Sequence, residues 1–268
     1  MSSRKVWLAV GLVSLASTVL LLAGFGYAVR DLLAPGASVS FRTEAPEPAA
    51  SPVPAEGYRI VALGDSLTKG TGDATGEGYV KQAAALLEEA SGKQVEIINN
   101  LAIGGMRADQ LSERLNEDKS FARALTQANL ILLSIGGNDL FQFARTGTGS
   151  GAAVIDLELA SKRLEEGLSR LSEVIERIRE VNADAKLVYI GLYNPFYDIP
   201  ELRSGSLAVQ DWNREAFRIL HEKGNAVLVP TSDLFEETIA FHLSSDHFHP
   251  NHAGYGKIAE RLVQSLVP

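Results

Sequence analysis

The chain has 268 residues, 46% of them hydrophobic, which is ample for one substantial core and allows one or two domains. Its formal charge of −8, from 33 acidic against 25 basic residues, argues against a duplex nucleic-acid partner, whose phosphates demand clustered Lys and Arg. No cysteine is present, which excludes disulfides, thiolate metal sites, a thiol nucleophile and a lipid-modified N-terminal cysteine.

Val6 to Val29 is a run of 24 uncharged residues, preceded by Arg4 and Lys5 and followed by Arg30 and Asp31. A helix crosses a bilayer with about 20 apolar residues, whereas the apolar region of a cleaved signal usually spans ~7–15. Segment 1–33 is therefore expected to be a transmembrane anchor, with a cleaved signal as the alternative. The basic residues ahead of it would stay inside and send the rest of the chain outside. The expected location is the cell membrane, single-pass with the C-terminal domain outside, or the medium if the segment is removed. Residues 34–57 hold five of the ten prolines among Ala, Ser and Glu, the composition of an extended spacer. Residues 58–268 then form one domain, expected to be monomeric.

Within that domain short apolar runs alternate with helical patterns. Strands are expected at Arg59 to Leu63, Val95 to Asn99, Leu130 to Ile135, Leu187 to Gly191 and Ala226 to Val229. Helices are expected at Tyr79 to Ala90, at Ala153 to Val181, where Leu164, Leu168, Leu171, Ile175 and Ile178 recur every three or four residues, and at Ala253 to Leu266. Strands separated by helices pair in parallel through right-handed crossovers, giving a three-layer α/β/α sandwich. Ligands of such open sheets bind beyond the carboxyl ends of the strands.

The loops at those ends carry unusual residues. The first strand runs into GDSLTKGTGD, Gly64 to Asp73; the second into NNLAIGGMR, Asn99 to Arg107; the third into IGGNDL, Ile135 to Leu140. Near the C-terminus lies SSDHFHPNH, Ser244 to His252. A serine hydroxyl needs a base to take its proton, and imidazole suits that task near neutrality. The base in turn needs a carboxylate on its other nitrogen. Asp246 and His249 are spaced so that the acid can hold one ring nitrogen while the other faces Ser66. Backbone N–H groups of the glycine loops and an asparagine amide would serve a developing oxyanion. Taken singly, Ser66 reads as a helix cap, Gly104 and Gly105 as a turn, and Asn138 as a turn former. Four such elements at the correct strand ends favour catalysis.

Competing motifs fail on spacing. Lys69 precedes Gly70, the reverse of a phosphate-binding loop, and Gly70, Gly72 and Gly76 miss the dinucleotide fingerprint by one residue. No G-x-S-x-G occurs. His247, His249 and His252 lack the helical His pair with a glutamate that a zinc site would show, so no metal is expected.

The sequence resembles the SGNH hydrolase superfamily, the GDSL-type lipases and esterases. The resemblance rests on GDSLT at 64–68, NLAIGGMR at 100–107, GGND at 136–139 and DHFHPN at 246–251. It implies a flavodoxin-like sandwich with five parallel strands. It implies Ser66 as nucleophile, His249 as base and Asp246 as orienting acid. The Ser66 N–H, the Gly105 N–H and the Asn138 amide would form the oxyanion hole. Gly105 is favoured over Gly104 by counting from Asn100 in the pattern N-x-x-x-x-G. Asp139 is read as a structural turn residue. No cofactor is implied. The expected reaction is ester hydrolysis, of a small-molecule or lipid ester in the manner of a lipase or lysophospholipase. The alternatives are a carbohydrate O-acetylesterase and, in another class, a tethered binding module without turnover. Tyr193, Phe196 and Tyr197, in the loop after the fourth strand, are candidate apolar walls for the acyl chain.

Overall fold

A computed structural model describes residues 3–33, 57–141 and 157–267, and the chain falls into two compact units, residues 1–51 and 52–268. In the first unit α1 (Ser3–Leu33) is one continuous helix that exposes Trp7, Leu12, Val13, Leu15, Val19 to Leu22 and Phe25. The expected membrane-spanning helix is not supported: among the described residues no helix is long and apolar enough to cross a membrane. The proposed spacer, Gly57 excepted, and residues 153–156 of the expected long helix lie outside the described residues.

The second unit is built from β1 (Tyr58–Gly64), α2 (Ser66–Lys69), α3 (Gly78–Ser91), β2 (Val95–Asn100), α4 (Ala108–Glu117), α5 (Lys119–Leu125), β3 (Leu130–Ser134), α6 (Gly137–Phe141), α7 (Leu157–Val181), β4 (Lys186–Ile190), α8 (Gly205–Lys223), β5 (Ala226–Val229), α9 (Ser232–Glu236), α10 (Ile239–His242) and α11 (His252–Gln264). The five strands form one parallel sheet in the order β2-β1-β3-β4-β5. Both faces are covered, which explains why the strands read as unbroken apolar runs. Val61, Leu63, Ile131, Leu133, Leu187 and Tyr189 point to one side, where α4, α7 and α8 contribute Leu111, Ile175 and Trp212. Their neighbours Ile60, Ala62, Leu130, Leu132, Val188 and Ile190 point to the other, against Tyr79 and Leu87 of α3 and Tyr255 and Ile258 of α11. Side chains alternate across a strand, so each run feeds two cores.

In this order the connections leave β1 and β3 in opposite directions, and a crevice opens at their carboxyl ends. The two ends meet closely. Gly64 pairs with Ser134 in the register, has φ +136°, and any Cβ there would collide with the Ser134 carbonyl oxygen. Only glycine fits. The end of β3 is fixed from behind, where Trp212 Nε1–H donates to Tyr189 Oη at 2.8 Å and Tyr189 donates to the Ile135 carbonyl at 2.6 Å.

Asp65, the next residue, is the buried N-cap of α2. Its Oδ1 accepts the Leu67 N–H at 3.0 Å and the Ser134 hydroxyl at 2.7 Å. With the Ser134 proton committed to Asp65, Ser134 Oγ accepts from the Thr68 N–H at 3.1 Å and the Thr68 hydroxyl at 2.7 Å. Thr68 Oγ1 in turn accepts from Tyr79 Oη at 2.7 Å, so one hydroxyl relay ties α3, α2 and β3 to a single carboxyl. Asn100 at the end of β2 adds a clip, its Nδ2 donating to the Thr68 carbonyl at 2.9 Å.

Burial pushes the Asp65 carboxyl up to about 6, against the lowering effect of its bonds from Ser134 and Leu67. Below pH ~4 this group is protonated in both folded and unfolded chains. As pH rises through 6 the unfolded chain ionises freely while the folded one resists, so Asp65 makes a contribution to stability that is lost over that window. Urea unfolding of the wild type and Asp65→Asn from pH 4 to 7 should show the wild type losing on the order of 1–3 kcal/mol relative to the variant. A difference that does not change with pH would contradict this.

Candidate active site

Ser66 is the first residue of α2, one step past the turn that Gly64 and Asp65 make. Its hydroxyl lies 2.7 Å from His249 Nε2, and His249 Nδ1 lies 2.6 Å from Asp246 Oδ2. An ionised carboxylate only accepts, so Nδ1 carries the proton donated to Asp246, and Nε2 of the neutral ring is left to accept from Ser66. Residues 183 positions apart in the chain thus form one hydrogen-bonded line.

The segment carrying the acid and base is held tightly. Asp246 Oδ1 accepts from the Ser244 hydroxyl at 2.8 Å, the Phe248 N–H at 3.0 Å and the His249 N–H at 2.9 Å. Burial would raise this carboxyl, but the bonds from the His249 ring, the two backbone N–H groups and Ser244 outweigh it and keep the acid ionised well below the usual carboxylate range. His247 makes the turn at φ +52°, and Ser244 N–H closes it onto the His249 carbonyl at 2.8 Å. Asn251 then caps α11, accepting from the Gly254 N–H at 3.0 Å while its Nδ2 donates to the Phe241 and Leu243 carbonyls. Tyr193 Oη donates to the Phe248 carbonyl at 2.7 Å.

The loop after α2 backs this segment. A Cβ on Gly72, whose φ is +94°, would sit 2.6 Å from the Pro250 carbonyl oxygen and 2.9 Å from His249 Cβ. Asp73, its side chain fully buried, accepts from the Thr75 N–H and hydroxyl and from the Gly78 N–H, and faces His252 Nδ1 at 3.3 Å. Although burial opposes it, these bonds hold Asp73 down at about 2. Gly72 therefore lets the chain pass the catalytic loop, while a Cβ on Gly70 would meet Gly78 at the start of α3, 3.1 Å from its Cα. Among the described residues no group of three or more His, Asp or Glu could hold a metal ion. His249 and His252 are each engaged with separate carboxylates.

Three N–H groups were expected around the serine. The Ser66 N–H opens α2, a position with no intrahelical acceptor. Asn138, in the first turn of α6, donates one amide hydrogen to the Met106 carbonyl at 2.9 Å and keeps its second. Gly105 lies on the loop clipped at Ile103, whose N–H donates to the Gly64 carbonyl at 2.9 Å, and at Met106 by Asn138. Gly105 has a positive φ of +79°, and Gly104 does not. Asp139 is buried and accepts the Ala108 N–H that starts α4, at 3.0 and 3.3 Å, with Arg170 at 3.9 Å. Asp139, expected as a turn residue, thus serves as the acceptor at the start of α4.

Ser66, Asn138 and His249 line one cleft, joined by Leu67, Phe141, Leu192, Tyr193, Pro195 and Phe248; Gly105 is not among its lining residues. Of the three aromatics expected to wall the acyl chain, Tyr193 lines the cleft and Phe196 and Tyr197 do not. Phe196 packs behind the wall, between Phe141 and Phe248, and Tyr197 stacks under the Arg203 guanidinium at 5.1 Å. Phe141 and Phe248 were missed, although both sit beside predicted residues: Phe141 is one helical turn past Asn138 and Phe248 directly precedes His249.

Residues 62–257 match the GDSL-like Lipase/Acylhydrolase family. The chain is 37% identical over 212 residues to the uncharacterised protein YpmR of Bacillus subtilis, covering 77% of this chain and 80% of that one. It is 28% identical over 209 residues to the spore germination lipase LipC of Bacillus licheniformis, covering 76% of this chain and 94% of the relative. A lipase from a goat rumen metagenome, Lip_vut3, shares the fold with a TM-score of 0.65 at 24% identity, over 78% of this chain and 98% of that one. The four blocks, the parallel sheet and the Ser66, His249 and Asp246 line thus sit within a domain match over most of the chain, and the protein belongs to the GDSL-like lipase/acylhydrolase family of ester-hydrolysing enzymes.

Proposed function

We propose that the domain is an extracytoplasmic serine esterase that cleaves carboxylic esters through an acyl-enzyme on Ser66. The observation that carries this reading is the line from Ser66 Oγ to His249 Nε2 at 2.7 Å and on from Nδ1 to Asp246 at 2.6 Å. In the forward step Oγ attacks the ester carbonyl as its proton passes to Nε2, and the resulting imidazolium is stabilised by Asp246. The Ser66 N–H, the free amide hydrogen of Asn138 and the Gly105 N–H are assigned to the oxyanion. Collapse expels the alcohol, which takes the proton from Nε2. Water, deprotonated by His249, then releases the acid and restores Ser66. No cofactor enters these steps.

Two kinds of ester fit this chemistry. A lipid ester, cleaved as by a lipase or lysophospholipase, is supported by the kinship with LipC across nearly its full length. Removal of O-acetyl groups from glycans is supported by the size of the cleft, whose cavity is about 40 Å3. The location rests on the uncharged run from Val6 to Val29 behind Arg4 and Lys5.

Ser66→Ala, with its fold checked by circular dichroism, should lose about 10^4-fold or more in the hydrolysis of p-nitrophenyl esters. Undiminished turnover in that variant would remove Ser66 from the chemistry, and a folded wild type inert on every ester would favour the tethered binding module. In cells expressing the chain, the domain should sediment with membranes and be cut by protease added outside. Intact protein in the medium, trimmed near residue 30, would instead indicate a cleaved signal, and protein confined to the cytosol would overturn the location.

A further inference from the structure

One wall of the cleft, from Leu192 to Pro195, is a stretch of backbone with little freedom. Leu192 is held at both ends by Asn213, its N–H donating to Oδ1 and its carbonyl accepting from Nδ2, each at 2.8 Å. The buried Asn194 accepts the Phe196 N–H at 3.0 Å and donates to Ser206 Oγ at 3.0 Å and to the Leu202 carbonyl at 3.2 Å. These bonds fix where Phe196 stands. Its ring meets Phe141 edge-on with centroids 6.2 Å apart and Phe248 at 6.0 Å. Phe141 and Phe248 themselves line the cleft, and the Phe248 ring lies edge-on to His249 at 4.9 Å.

The three rings come from α6, the loop after β4 and the catalytic loop, so one aromatic partition joins three of the elements that build the site. The cavity in front of it is about 40 Å3. One water occupies roughly 10–15 Å3 on that measure, so the space holds about three water-sized groups, an acyl unit of about two to four carbons. Ligand pockets that take drug-sized molecules run to several hundred Å3, about tenfold more.

From this geometry we infer that Phe141, Phe196 and Phe248 form a stop that limits the acyl group to short chains, making acetyl to butyryl esters the substrate class of the site. The inference rests on the ester-hydrolase reading and decides within it: a site so stopped takes an acetylated alcohol rather than the long fatty-acyl ester that a lipase or lysophospholipase cleaves. Phe196 acts as a positioning residue through the two rings that it braces.

The test compares kcat/KM for p-nitrophenyl acetate, butyrate and octanoate in the wild type, Phe196→Ala and the more conservative Phe141→Leu, each shown to be folded. The wild type should favour acetate or butyrate over octanoate by at least about tenfold, the low end of what a single methylene is worth in an apolar pocket. At least one variant should raise the octanoate-to-acetate ratio about tenfold or more, mainly through a lower KM for octanoate. Ser66-dependent hydrolysis with octanoate already preferred, or variants that scale all three esters alike, would overturn the stop and leave the esterase reading standing. A folded wild type that hydrolyses none of the esters would overturn both.

Discussion

The site depends on the contact between the ends of β1 and β3. Gly64 lies so close to the Ser134 carbonyl that no side chain can stand there, and the next residue closes the gap with a buried carboxyl. That carboxyl is the acceptor of a relay from Tyr79 through Thr68 and Ser134. A solitary buried charge is costly, and the two donors on Oδ1, the Leu67 N–H and the Ser134 hydroxyl, offset that cost only in part. The result is a fixed height and direction for Ser66, set by backbone crowding on one side and hydrogen bonds on the other.

The base reaches this serine from the far end of the chain, and its placement uses different means. Asp246 gathers two backbone N–H groups, a hydroxyl and the imidazole, so the turn is organised around its carboxylate. The loop with Gly72 and Asp73 then presses on Pro250 and His249 from outside, and α11 begins at Asn251 to carry the turn's geometry into the core. The same carboxylate that orients the ring in catalysis therefore holds the local fold. Removing it would disturb both, which is why a loss of turnover in an Asp246 variant alone would not separate chemistry from structure.

Much of this was legible in the sequence because it follows from local rules. Five apolar runs separated by helical periods specify a parallel sheet with both faces covered, and the strands fall within a residue or so of their expected bounds. Ser66, Asn138, Asp246 and His249 stand out since glycines, acids and a histidine at strand ends have few structural uses in common. The cleft walls were less legible. Tyr193, Phe196 and Tyr197 are neighbours in sequence, yet only Tyr193 reaches the cleft, because Asn194 turns the chain and sends Phe196 behind it. Phe141 and Phe248 lie far apart in the chain, and only the fold brings them to one cleft. The role of Ser134 was invisible, since nothing in LILLS distinguishes a serine that ends a strand from one that accepts a relay.

The central claim is that Ser66 is the activated nucleophile, and the most direct measurement is covalent. The folded protein would be treated with a fluorophosphonate, which reacts with serines activated by a neighbouring base, and the adduct mapped by mass spectrometry of its peptides. The account predicts one adduct per chain, on Ser66, and no adduct on the folded Ser66→Ala variant. An adduct on another residue, or no adduct on a folded chain at neutral pH, would contradict it.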